Sequence, residues 1–155
     1  MSFGYSIGDF IAISALAAKV YKAYKDAPSD YQNIAEEVKS LEGIINKAIR
    51  HFRNTTLNNN EQQEGQEVLK GCQSILRDLN SHIIEKYKCI ASTNERVVFK
   101  RVKLGTEDIA AWRVRLISNA TLLSSFIRRF DISTITIYYI MLTSLAVNTL
   151  NYKHG

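Results

Sequence analysis

The chain has 155 residues, of which 46% are hydrophobic and 23% are charged, and this length supports one domain with its own core rather than two. One proline and seven glycines leave too few turn signals for an all-β sandwich. The formal net charge of +5 at pH 7 permits an acidic partner, such as an anionic membrane or a nucleic acid, but is too small to require one.

The first 28 residues carry the pattern of one capped helix that is apolar at its start and basic at its end. Ser6 is the predicted N-cap, and Asp9 stands three residues later, where an acid favours the positive end of the helix dipole. Residues 10–18 are apolar except for one serine, and three lysines follow them: Lys19, Lys22 and Lys25. Pro28 ends the helix because proline cannot continue its hydrogen-bond ladder.

This helix allows two interpretations. It is either the buried central helix of a bundle, with lysines that complement its carboxyl end, or a helix that engages a membrane. In the second interpretation the apolar side chains insert into lipid and the lysines contact anionic headgroups. The candidate membrane-binding residues are then Phe10, Ile11, Ile13 and Leu16 for insertion, and Lys19, Lys22 and Lys25 for lipid contact.

Two further helices follow. Ser29 opens the second helix with Gln32 at the capping-box position, and its apolar residues alternate at spacings typical of a bundle seam. These seam residues are Tyr31, Ile34, Val38, Leu41, Ile45, Ala48 and Phe52.

A loop over residues 54–60 (NTTLNNN) precedes a third helix over 61–87, and residues 91–94 interrupt the helical pattern after it. The predicted buried side of the third helix is Val68, Cys72, Ile75, Leu79 and Ile83.

A short basic helix is predicted over residues 95–103, closed by Gly105 as its C′ residue. Thr106 then starts a helix whose seam repeats the spacing of the second helix. Its seam residues are Ile109, Trp112, Leu116, Asn119, Leu123, Phe126 and Phe130. The two seams have the periodicity to pack against each other. The sequence therefore predicts an all-α fold: an antiparallel helical bundle of about five helices with an uncharged apolar C-terminal segment.

The C-terminal segment, residues 132–152, differs from the rest of the chain. It has no charged residue over 21 positions, a length that is sufficient to span a membrane. Eight of those positions are Ser, Thr or Asn, which weakens the transfer of the segment into lipid. A membrane span, a last bundle helix and an interfacial helix are all open at this point.

No catalytic or ligand-binding pattern is visible. None of the glycines opens a phosphate-binding loop, so no nucleotide cofactor or small-molecule substrate is predicted. Three histidines stand apart from other metal-ligand residues: His51, His82 and His154. Glu36 and Glu37 are adjacent on a helix and cannot face each other for acid and base work, so they are predicted to be solvated. We expect neither an enzyme nor a metal site.

Location and partners are constrained by composition. Two isolated cysteines, Cys72 and Cys89, favour a reducing, cytoplasmic location. No Lys or Arg precedes the apolar run near the N-terminus, which argues against a signal peptide. A basic group lacks interleaved aromatic residues and a reading motif, so a solvated face is favoured over nucleic-acid binding. This group is Arg96, Lys100, Arg101, Lys103, Arg113 and Arg115.

Two stretches of the chain resemble the HeLo-like helical domains found at the N-terminus of fungal NLR-type (STAND) proteins. They read GYSIGDFIAISALAAKVYKAYKDAPSDYQNIAEEVKSL and FKRVKLGTEDIAAWRVRLISNATLLSSF, and the similarity covers about residues 1–130. The most specific pieces are GDF, YKAYKDAP, LGTEDIA and RLISNATLL. The resemblance implies an all-α bundle that normally precedes a nucleotide-binding oligomerisation module, and it carries over no catalytic residue. It also implies kinship with membrane-acting cell-death effectors, in which the N-terminal helix is the proposed membrane element.

The resemblance divides the chain into a bundle domain over residues 1–130 and an apolar tail over 131–155. No NTPase or repeat region follows, so the chain is expected to be either a stand-alone effector or adaptor, or a truncated product. The expected function is that of an effector or signalling domain that oligomerises and disrupts a membrane through its first helix. The alternative is a soluble adaptor that binds other helical domains. The expected location is cytoplasmic, with association to anionic membranes.

Overall fold

The computed structural model describes residues 7–27, 29–92 and 106–153, and all regular structure within these ranges is helical. Four helices follow one another: α1 Ile7–Tyr24, α2 Ser29–Phe52, α3 Asn59–Ser92 and α4 Thr106–Lys153. The prediction of an all-α, bundle-like fold is thereby confirmed. The predicted short helix over 95–103, its closing Gly105 and the predicted cap Ser6 lie outside the described residues.

α4 joins two predicted segments in one helix. The predicted seam ended at residue 130, and α4 continues from it to Lys153 through the apolar segment. No glycine or proline occurs within α4, so no residue in it favours a helix stop. The chain divides into two compact units, Met1–Leu123 and Ser124–Gly155, so α4 begins in the first unit and ends in the second.

α1 and α2 pack antiparallel. The rings of Phe10 and Phe52 lie 5.8 Å apart near the start of α1, and those of Tyr24 and Tyr31 lie 5.8 Å apart near its end. α1 also packs on α3, where the buried Tyr24 hydroxyl donates a hydrogen bond to the Leu79 carbonyl oxygen at 2.9 Å. Tyr24 therefore contacts both neighbours of α1.

The predicted seams account for most of the core. All seven seam residues of α2 are buried, with five of them fully enclosed: Ile34, Val38, Leu41, Ile45 and Ala48. In α4, Leu116, Leu123 and Phe126 are buried. The four other predicted seam residues of α4 are only half-buried: Ile109, Trp112, Asn119 and Phe130.

The buried side of α3 is broader than predicted. Of its five predicted residues, Val68 is half-buried and the other four are buried. Leu69 and Leu76 are also fully buried, although the sequence pattern did not select them. α3 contacts both α1 and the first part of α4. Because it packs on two helices, α3 buries side chains on more than one side.

The start of α3 is set by a reciprocal cap. Asn58 Oδ1 accepts a hydrogen bond from the Glu61 backbone N–H at 2.9 Å, and Glu61 Oε2 accepts one from the Asn58 N–H at 2.8 Å. This capping box satisfies two N–H groups and explains why α3 begins two residues before the predicted position.

α3 and α4 approach closely at Gly71 and Asn119. A Cβ atom at Gly71 would collide with Asn119 Oδ1 and would lie 3.3 Å from Asn119 Cγ. The Asn119 side chain is held in place because its Nδ2 donates a hydrogen bond to the Arg115 carbonyl oxygen at 2.8 Å. Any larger residue at position 71 therefore requires the Asn119 side chain to move. Gly43 of α2 differs, because nothing lies within 4 Å of a Cβ placed there.

Candidate functional site: two exposed surfaces

α1 presents one face to the core. Its buried residues recur every three or four positions: Phe10, Ile13, Ala17, Val20 and Tyr24. Phe10 is 5% exposed and Ile13 is 2% exposed. Two of the four predicted inserting residues therefore belong to the core of the bundle.

The opposite side of α1 is exposed, and we call it the outer face of α1. It consists of Ile11, Ala12, Ala15, Lys19, Lys22 and Lys25. Ile11 is 47% exposed, and Leu16, another predicted inserting residue, is half-buried beside this face. Among the described residues, none of the three lysines has an ion-pair partner.

The outer face of α1 can contact an anionic lipid surface without opening the bundle. Residues spaced by three or four lie on one side of a helix, which places Ile11, Ala15 and Lys22 in line. The face is apolar in its first two turns and basic in its last two. Such a helix can lie with its apolar turns at the acyl boundary and its lysines among headgroup phosphates.

The apolar segment of α4 is the second exposed surface. Every side chain from residue 135 to residue 148 is exposed, including Ile135 at 67%, Tyr139 at 70% and Leu145 at 64%. Within the described residues, one helical stretch, Ile109–Asn148, is long and apolar enough to cross a membrane by length and composition. Only 7% of its most apolar window is buried.

A smaller apolar patch lies on α4 within the first unit. Val114 is 63% exposed, Ile117 is 52% exposed and Leu122 is 56% exposed. The predicted seam of α4 does not include these three residues. The available signal was the presence of large apolar side chains at positions outside the seam.

Two basic residues considered for nucleic-acid contact are paired with carboxylates. Arg113 Nε donates a hydrogen bond to Glu37 Oε1 at 2.7 Å, and Arg115 donates to Asp78 Oδ2 at 2.7 Å. The prediction that Glu37 is solvated is wrong, because its side chain is 17% exposed and bound to Arg113. Glu36 is exposed, as predicted. The four other members of the basic group lie outside the described residues: Arg96, Lys100, Arg101 and Lys103.

The described cysteine and histidine side chains pack against other side chains of the fold. His51 stacks edge-on against Phe52 at 5.1 Å, and His82 lies 4.5 Å from the Trp112 ring. Cys72 is buried, and burial raises the pKa of its thiol to about 12, so it stays protonated and unreactive at neutral pH. In the part of the chain that the structure describes, no group of three His, Cys, Asp or Glu residues could hold a metal ion. His154 and the Cys89 side chain lie outside it.

Comparison with known proteins returned no relatives. No protein family, no curated protein and no solved structure matches this chain. The resemblance to HeLo-like domains therefore stays a prediction.

Proposed function

We propose that this chain is an effector or signalling domain of the fungal innate-immunity or incompatibility type, linked to programmed cell death. It acts in the cytoplasm by self-association and by engaging anionic membranes through the outer face of α1. The observation that carries the membrane proposal is the exposure of Ile11 together with three lysines on that face that have no ion-pair partner in the described part of the chain. The assignment to fungal effectors depends on the sequence resemblance.

The charge of the three lysines supplies most of the affinity of the outer face of α1 for an anionic membrane. Each lysine near an anionic surface contributes about 1 kcal/mol, so the three together favour that surface over a neutral one by roughly a hundredfold. Ile11 adds a shallow apolar contact. Binding through the outer face leaves the core intact, so it is the first step.

Disruption of the membrane is a second step with a separate cost. Phe10 and Ile13 can insert only if α1 leaves the bundle, which exposes side chains whose burial stabilises the fold by about 1.5–3 kcal/mol each. Lipid contact and self-association must offset this loss of free energy. We therefore expect binding to occur at lower protein density on the membrane than leakage.

The experiment measures the polarity of the surroundings of α1. A polarity-sensitive fluorescent probe on Ala12→Cys of the full chain, in a background with Cys89→Ser, should shift to the blue with anionic vesicles and not with neutral ones. The variant Lys19→Glu/Lys22→Glu/Lys25→Glu should weaken this response more than about tenfold at low salt. Ile11→Ser should reduce dye release from anionic vesicles.

A matched control separates local charge from net charge. Arg53→Glu/Lys70→Glu/Arg77→Glu changes the total charge equally at exposed positions on other helices or loops and should leave the probe response unchanged. Equal probe responses on neutral and anionic vesicles, or equal loss in both triple variants, would overturn the membrane role of α1.

The second candidate function is that of an adaptor for helical partners, and the exposed patch of Val114, Ile117 and Leu122 favours it. An apolar helix face in water gains stability when another helix covers it. Sedimentation should then show self-association that persists at high salt and is reduced by Ile117→Asp. A chain that is monomeric in mild detergent at all salt concentrations would count against self-association through this patch.

A further inference from the structure

Within the apolar segment of α4, residues 132–152, every side chain described, from 135 to 148, is exposed, so no side of this stretch is buried. A helix that packs on protein shows a buried stripe, and a helix that lies in the membrane plane needs a strongly polar or charged face. The described side chains at 135–148 show neither pattern. Thr136 and Thr143 share one side of the helix, but Ile140 and Val147 lie on that side too.

The length and the flanks of the segment match a bilayer. Its 21 uncharged residues rise about 31 Å as a helix, close to the hydrocarbon thickness of about 30 Å. Arg128 and Arg129 precede it and are exposed, and the Arg129 guanidinium lies 5.5 Å from the Phe126 ring centroid. Arginine and aromatic side chains of this kind are suited to the headgroup level at the end of a span.

Thr143, a polar side chain near the middle of the segment, is satisfied within the helix. Thr143 Oγ1 lies 3.0 Å from the Tyr139 carbonyl oxygen and 2.9 Å from that of Ile140, so its hydroxyl donates inside its own helix. Hydrocarbon offers no alternative partner, and internal bonding lowers the cost of placing a hydroxyl there.

We propose that residues 132–152 form a single membrane-spanning helix that anchors the chain in a lipid bilayer. The ligand is the bilayer interior, and the contact covers the whole circumference of the helix. This anchor is independent of the outer face of α1, which contacts only the lipid surface. Lys19→Glu/Lys22→Glu/Lys25→Glu should therefore leave the anchor in place, so each proposal can fail without the other.

The test measures the depth of three positions in the full chain reconstituted into phosphatidylcholine vesicles. Spin labels are placed on Ile135→Cys, Leu142→Cys and Asn148→Cys, one at a time, in a background with Cys89→Ser. Accessibility to oxygen and to a water-soluble nickel complex reports the depth of each label. A span predicts that the label at 142 is the deepest and that the other two are shallower.

A second measurement tests integral insertion. The unlabelled chain should stay with the membrane in alkaline carbonate, whereas Leu142→Lys should reduce the retained amount by at least about tenfold, because a charge at the bilayer centre opposes insertion. Ser125→Lys adds the same charge outside the segment and should be retained like the parent. The spin-label result stands even if Leu142→Lys fails to fold.

Two outcomes would overturn the anchor. Three labels at equal shallow depth would show a helix that lies in the membrane plane. Labels that stay accessible to the nickel complex in the presence of vesicles would show that the segment stays in water and does not enter lipid.

Discussion

The contact between Gly71 and Asn119 makes opposite predictions for two glycines that both lie inside helices. Replacing a helical glycine by alanine gains about 0.5–1 kcal/mol in helix stability if space allows. Gly43 has that space, so Gly43→Ala should raise the free energy of unfolding by this amount. Gly71→Ala should lower it, because its methyl group meets the Asn119 amide.

The expected change in the free energy of unfolding for Gly71→Ala follows from the hydrogen bond that Asn119 would lose. Its side chain can move aside only by breaking its hydrogen bond to the Arg115 carbonyl, which costs about 0.5–1.5 kcal/mol, and overpacking adds to a total of about 1–3 kcal/mol. After the helix-propensity gain is subtracted, we expect a net loss of about 1 kcal/mol. The two alanine variants should thus differ by roughly 2 kcal/mol.

The assay is urea unfolding of the full chain in mild detergent, followed by circular dichroism. Asn119→Ala removes the obstructing amide, so Gly71→Ala should become stabilising in that background. This double-mutant cycle isolates the contact from helix propensity. If Gly71→Ala is as stable as Gly43→Ala, or if Asn119→Ala fails to change its sign, the close approach of α3 and α4 is wrong.

Three further predictions concern stability. Leu41→Ala and Leu116→Ala should each lower the free energy of unfolding by about 2–5 kcal/mol, because both side chains are enclosed, and a loss of a few tenths would contradict their core positions. Burial raises the pKa of Cys72, and burial followed by the neighbouring Tyr31 raises that of Tyr24, so the folded state holds protons that the unfolded state releases. The contribution of these two groups should be fully present at neutral pH and be lost as the pH rises above about 9, and a flat profile in alkaline urea titrations would count against this burial. Deletion of residues 132–155 should leave a soluble chain with one cooperative unfolding transition, whereas a molten or aggregated product would show that this segment supports the core.

Local periodicity was sufficient to identify the seam of α2. All seven residues predicted from spacing are buried, because alternation by three and four places side chains on one side of any α-helix. Spacing could not identify the inner face of α1. Residues 10–18 are apolar on nearly every side, and packing against α2 selects Phe10, Ile13 and Ala17 over Ile11.

Contacts between distant parts of the chain were beyond the sequence pattern. Glu37 was predicted to be solvated, but its partner Arg113 stands 76 positions later. Leu69 and Leu76 were missed because a single seam does not describe a helix that packs on two neighbours. Periodicity also could not show that the apolar segment continues the same helix as the seam before it: a change from charged to uncharged residues alters the surroundings of a helix but does not stop its backbone.

The Tyr24 hydroxyl has a consequence for the timing of any membrane attack by α1. It ties the last turn of α1 to the α3 carbonyl of Leu79, in a place from which water is excluded. Detachment of α1 must break that bond and uncover the tyrosine, so the amide protons in the last turn of α1 should exchange in one cooperative opening of the helix rather than by fraying. This bond therefore slows the detachment of α1 from the bundle. Contact of the lysines with the membrane surface can be fast, whereas Phe10 can enter lipid only after α1 detaches. The rate of that detachment rises steeply with temperature.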